Sequence, residues 1–122
     1  MNRVKKILLS LAVAFAFVIT LASCSKVSQS YADKINEAAK TDEKITYEDA
    51  KSALGDELLI DIAGQMIAVK GLTKDNYKEK LENADENTKF SVIMVNTLLG
   101  NCVSATYGEF TVKDVKAKLG VE

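Results

Sequence analysis

Val27, Tyr31, Ile35 and Ala38 or Ala39 recur at helical spacing, so the pattern predicts an opening helix that docks by that one face. Further along, Leu58, Ile60 and Ile62 alternate with neighbours such as Asp61, which puts the three on one side of a strand. Gly64 separates this strand from Met66-Ile67-Ala68-Val69, and the two runs read as a hairpin. The block from Phe90 to Phe110 is rich in β-branched residues and is broken by Gly100-Asn101, a dipeptide suited to a two-residue II′ turn. After it, Val103, Ala105 and Tyr107 alternate with Ser104, Thr106 and Gly108. Phe90, Ile93, Met94, Thr97, Leu98 and Cys102 also fit a helical stripe, but the β-branched content and the turn dipeptide favour a second hairpin.

Three stretches share a helix-start pattern: Ile45-Thr46 through Gly55, Leu72-Thr73 through Glu82, and Phe110-Thr111 through Gly120. Thr46, Thr73 and Thr111 are placed to cap free backbone N–H groups, with Asp49, Asn76 and Asp114 three residues on. Leu72 with Tyr77 and Phe110 with Val115 have the spacing of hydrophobic staples, and Gly55 and Gly120 suit left-handed C′ positions. The threonines are unevenly spaced, which excludes a solenoid of fixed period. Together the elements predict an α+β fold in the order α-α-β-β-α-β-β-α, a small antiparallel sheet of two hairpins with the helices packed on one face.

Ahead of these elements, Arg3, Lys5 and Lys6 precede an uncharged run from Ile7 to Ala22. Those sixteen residues reach roughly 24 Å as a helix, short of the roughly 30 Å hydrocarbon core, so the segment reads as a secretory signal. It ends in Leu21-Ala22-Ser23-Cys24, which resembles at all four positions the lipobox of bacterial lipoproteins. The resemblance implies diacylglyceryl attachment to Cys24, cleavage between Ser23 and Cys24, and further acylation of the new amino terminus. The expected organisation is a cleaved signal over 1–23, a lipidated tether over 24–30 and a single ectodomain over 31–122. The expected location is the extracytoplasmic side of the cell membrane, the plasma membrane's outer face or an outer membrane where there is one. Two or three acyl chains anchor firmly where one holds only reversibly.

Composition narrows the chemistry. The 122 residues carry sixteen Lys plus Arg against seventeen Asp plus Glu, with no basic excess for nucleic acid. Removal of residues 1–23 takes away three cations and no acid, leaving a formal −4, so charge as a whole would not hold the ectodomain to an anionic membrane. The chain has no His, which removes the usual triad base and the imidazole ligand of zinc. With Cys24 lipidated, Cys102 is the remaining thiol; Gly100-Asn101-Cys102-Val103 offers it no activating cation, and it reads as a small buried hydrophobe on a strand.

The segment Ile45-Thr46-Tyr47-Glu48-Asp49-Ala50-Lys51-Ser52-Ala53-Leu54-Gly55 looks like the opening helix of small envelope lipoproteins such as the outer-membrane assembly accessory family and β-lactamase-inhibitor-like modules. That likeness is one of size and layout and assigns no functional residue. The acidic pairs Asp42-Glu43, Glu48-Asp49, Asp56-Glu57 and Asp85-Glu86 fall in turns and first helical turns, where solvation and the helix dipole account for them. Asp85-Glu86-Asn87 supplies only part of a calcium loop, and the glycines form neither a phosphate loop nor a dinucleotide fingerprint. The expectation is thus no catalytic residue, no metal and no cofactor. Two functional classes fit: a non-enzymatic binding or accessory module of the envelope with a protein or glycan partner, or a small envelope hydrolase using paired carboxylates.

Overall fold

Ser28 ends an extended segment and accepts a hydrogen bond from the Tyr31 N–H at 3.2 Å, which starts the first helix, α1 (Gln29–Ala39). The structure is a computed structural model that describes residues 25–121. Val27, Tyr31, Ala32 and Ile35 are buried along the face that their spacing predicts. The helix begins before the expected end of the tether at residue 30, and Val27 is already part of the core. From Ser25 onward the chain is therefore fixed to the domain rather than swinging from it.

Thr46 caps α2 (Tyr47–Leu54) through the Asp49 N–H, and Thr111 caps α4 (Val112–Leu119) through the Asp114 N–H, both as the sequence predicts. The third cap differs. The Thr73 N–H donates to the Asn76 side chain at 2.8 Å, which closes a turn, so α3 (Tyr77–Asn83) starts three residues later than Thr73 would have it. This is the reciprocal bond of a capping box, made by Asn76 back to the Thr73 N–H, but the helix itself opens only after Asn76. Gly120 takes the left-handed conformation at the end of α4, while Gly55 (φ 56°, ψ −132°) turns α2 into a short 3-10 segment, Gly55–Glu57.

The strands β1 (Leu58–Ile62), β2 (Gln65–Val69), β3 (Lys89–Leu98) and β4 (Asn101–Thr111) form a four-stranded antiparallel sheet in sequential order. The class is α+β and the element order is α-α-β-β-α-β-β-α, as predicted, and residues 90–109 belong to a hairpin and not to a helix. The helices, however, cover both faces and not one. Met66, Ala68, Ile93 and Val95 face α1 and α2, whereas Ile67, Val69 and Val92 pack with Leu81 of α3 and with Val112, Val115 and Leu119 of α4. The signal lay in β2 and β3, whose apolar residues are continuous rather than alternating, the mark of strands buried on both sides.

Two local readings also change. The β1–β2 register shifts between Leu58 and Ile60, so Leu58 joins the α1 side and Ile60 the α3 side; the three residues read as one face do not share one. The β3–β4 turn lies one residue early: Leu98 pairs with Asn101, and Leu99 (φ 52°) and Gly100 (φ 82°) form the loop. Two positive φ values make it type I′, the hairpin turn whose twist matches the strands, in place of II′. Gly100→Val should destabilise the fold by about 1–2 kcal/mol, since a β-branched residue resists this conformation; an unchanged thermal melt would contradict the turn assignment.

Candidate surfaces and clefts

The sheet has two unlike ends. Ser25 donates its hydroxyl to Glu57 Oε1 at 2.7 Å, and the other oxygen of Glu57 accepts the Gly71 N–H at 2.8 Å. This carboxylate pins the start of the described chain to the end of the sheet where β1 begins and β2 finishes. The two hairpin loops, Ala63-Gly64 and Leu99-Gly100, lie at the other end, and the first is tied to β3 by the Thr97 N–H, which donates to the Gly64 carbonyl at 2.7 Å. Five residues of β1 separate the ends on one edge and ten of β3 in the interior, roughly 16 to 33 Å.

Large aliphatic side chains are exposed at the loop end. Ile62 is 68%, Leu98 62%, Leu99 92% and Val103 39% exposed. Register places Ile62, Gln65, Asn96 and Ser104 in one cross-strand row on the face that carries Ile67 and Val92, and Leu98 lies two residues beyond Asn96 on that face. Helices α3 and α4 pack on the other half of this face, against Val69, Val92, Phe90 and Phe110, and leave the row uncovered. Sequence patterning did not single out this surface, although two leucines, Leu98-Leu99, stand immediately ahead of a turn glycine.

The loops are held firmly. The Tyr47 N–H donates to Gly100 O and the Cys102 N–H to Ile45 O, so the segment before α2 pairs with the outer edge of β4. Further along that edge, Asn36 of α1 gives its amide to Ala105 O and accepts the Ala105 N–H, both at 2.9 Å. These contacts occupy backbone groups through which another strand would add.

The acidic pairs are dispersed. Glu48 and Asp49 lie in the first turn of α2, and Asp42, Glu43, Asp85 and Glu86 are exposed in turns. Among the described residues, Asp56 shares a cleft of about 370 Å³ with a second carboxylate, Asp75, and with Lys51, Lys74 and Thr73. A carboxyl acid catalyst keeps its proton by burial against an apolar wall; Asp56 and Asp75 are both exposed and flanked by lysines. Lys51 also leans toward Asp61 (3.9 Å), and the Tyr47 hydroxyl donates to that carboxylate at 2.5 Å. This hydrogen bond holds the Tyr47 proton and raises its pKa, while the Tyr47 contact does the same for the Lys51 ammonium.

Cys102 lies on β4, fully buried, with its thiol 3.6 Å from Thr46 O. Burial pushes its pKa above the ordinary 9.0, and the Asp49 charge adds to this. Tyr31, also shifted up by burial first, joins it. A group whose folded pKa is raised contributes stability below its unfolded pKa and loses it as pH climbs through the folded value. Unfolding free energy should therefore stay level through neutral pH and fall from about pH 9 upward. Cys102→Ala should flatten the first part of that fall, and denaturant titrations at successive pH values would read it.

Leu21-Ala22-Ser23-Cys24, with the expected lipidation at Cys24 and cleavage after Ser23, lies outside the described residues. Among the described residues no helix is long and apolar enough to cross a membrane, and no three His, Cys, Asp or Glu side chains gather as a metal site. Compared with known proteins, the chain matches no family model, no curated protein and no solved structure.

Proposed function

We propose that the protein is a lipid-anchored binding module of the bacterial envelope, held in the membrane through Cys24, which docks an envelope protein on its aliphatic hairpin end. The observation that carries this reading is the polarity of the domain. Ser25, which directly follows Cys24, is bonded at one end of the sheet, and Ile62, Leu98 and Leu99 are exposed at the other. An anchor at Cys24 would point the aliphatic end away from its own bilayer, which leaves a second macromolecule as its occupant. Exposed apolar groups bordered by polar ones, as Gln65 and Asn96 border these, mark protein contacts. Aliphatic side chains without an aromatic platform suit a protein surface better than a sugar ring.

Leu99 adds weight, because a leucine at φ 52° is held in a conformation that costs an L-residue roughly 1–2 kcal/mol, and it is almost wholly exposed. Neither fold nor solubility benefits from it, so contact with a partner is the remaining use. The hydrolase reading has less support, since Asp56 and Asp75 share their cleft with lysines and solvent.

Two measurements test the proposal in the producing cell. Mass spectrometry of the purified mature protein should find lipid on an amino-terminal Cys24; an unmodified Cys24 or a different terminus overturns the anchor. A photo-cross-linking residue at Gln65 or Asn96 should give a discrete adduct with another envelope protein, while the same residue at Lys113 gives none. Adducts with a second copy of this chain, or none in the uncovered row, overturn the assignment of the partner.

A further inference from the structure

We infer that a lysine-lined cleft at the anchored end binds the headgroup phosphates of anionic lipids and thereby holds the domain upright on its membrane. This inference rests on the reading of Cys24 as the lipid-bearing residue. The cleft has a volume of about 390 Å³, and its cations are Lys26 from the segment ahead of α1, Lys34 from α1 itself and Lys70 from the end of β2. All three are exposed, and among the described residues none of them pairs with a carboxylate; the ion pairs formed there use Lys40 and Lys51. Lys26 is braced 5.9 Å from the centre of the Tyr31 ring. Glu57, the acid that bonds Ser25, has both oxygens engaged by the neutral donors Ser25 Oγ and Gly71 N.

Placement identifies the ligand. Ser25 lines the cleft and is one peptide unit, about 3.8 Å between Cα atoms, from Cys24. An acylated Cys24 would bring the three lysines to the phosphate layer with no slack between, since Val27 is locked in the core. The charge of the chain makes this local excess matter. Beyond residue 23 the protein carries a formal −4, and an anionic surface would tilt or repel it if cations were not gathered beside the anchor. Three lysines lining one cleft supply that attraction at the point of attachment, and the aliphatic end is then carried outward.

The test uses the mature full-length protein, purified with its lipid and reconstituted in phosphatidylcholine vesicles with or without phosphatidylglycerol. Amine labelling is read residue by residue by mass spectrometry. Labelling of Lys26, Lys34 and Lys70 should fall about threefold or more in the anionic vesicles, and that of Lys40 and Lys44, toward the loop end, should stay constant. Equal labelling of the three in both vesicles overturns the inference. Equal protection by inorganic phosphate in neutral vesicles also overturns it and assigns the cleft to a soluble anion. The same digests report the mass of the amino-terminal peptide, so a failure of the anchor reading is distinguished from a failure of the cleft.

Discussion

Gly64→Val is expected to be the most damaging single change at the loop end, lowering stability by about 2–4 kcal/mol. Gly64 has φ 80°, and a Cβ built there would lie 3.1 Å from the Thr97 carbonyl oxygen. A β-branched residue at positive φ costs roughly 1–2 kcal/mol, and relief of the contact would stretch or break the bond from Thr97 N–H to Gly64 O, about 1 kcal/mol more. The oxygen in the way is backbone of β3, one residue beyond the Gln65–Asn96 pair, so it cannot swing aside as a side chain would. For a domain of this size, the loss corresponds to a melting temperature lower by about 10–25 °C. Ala63→Gly next to it should act oppositely, since Ala63 already has φ 54°; a gain of up to about 1 kcal/mol is expected. Thermal melts of the pair test whether the loops are held by backbone geometry; a Gly64→Val protein that melts with the parent would show that they are not.

The elements were legible because their signals are local. Thr46 and Thr111 cap as spacing predicts, the Val27, Tyr31 and Ile35 stripe docks α1, and the β-branched run after Phe90 forms a hairpin. Legibility ended where two local signals competed or where one residue of register decided the outcome. Asn76 captured the Thr73 N–H and delayed α3. The bulge near Leu59 sent Leu58 and Ile60 to opposite faces, a shift that alternation cannot reveal because either register offers an apolar residue to a core. Two-sided burial of the sheet was written in Met66-Ile67-Ala68-Val69, which a helices-on-one-face arrangement leaves unexplained. The candidate surfaces were harder still. Lys26, Lys34 and Lys70 are dispersed in sequence and meet only when the end of β2 arrives beside α1. Ile62 and Leu98 look like core residues until α3 and α4 are seen to stop short of them.

Leu99→Asn is expected to separate stability from function. Asn-Gly is the preferred type I′ dipeptide because Asn tolerates positive φ, so the variant should gain about 0.5–1 kcal/mol and melt about 2–8 °C higher. The same change removes an aliphatic side chain that is 92% exposed at the tip of the domain. Where such a residue anchors an interface, its loss costs about 2 kcal/mol or more, roughly a thirtyfold weakening. Cross-linking from Asn96 in the envelope should accordingly collapse in Leu99→Asn, although the protein is better folded and equally abundant. Leu98→Asn, at a paired strand position without positive φ, should weaken the contact with no gain in stability. A merely structural leucine predicts the reverse for binding: a more stable Leu99→Asn protein would cross-link as well as the parent or better, and that result would remove the loop end from the proposed interface.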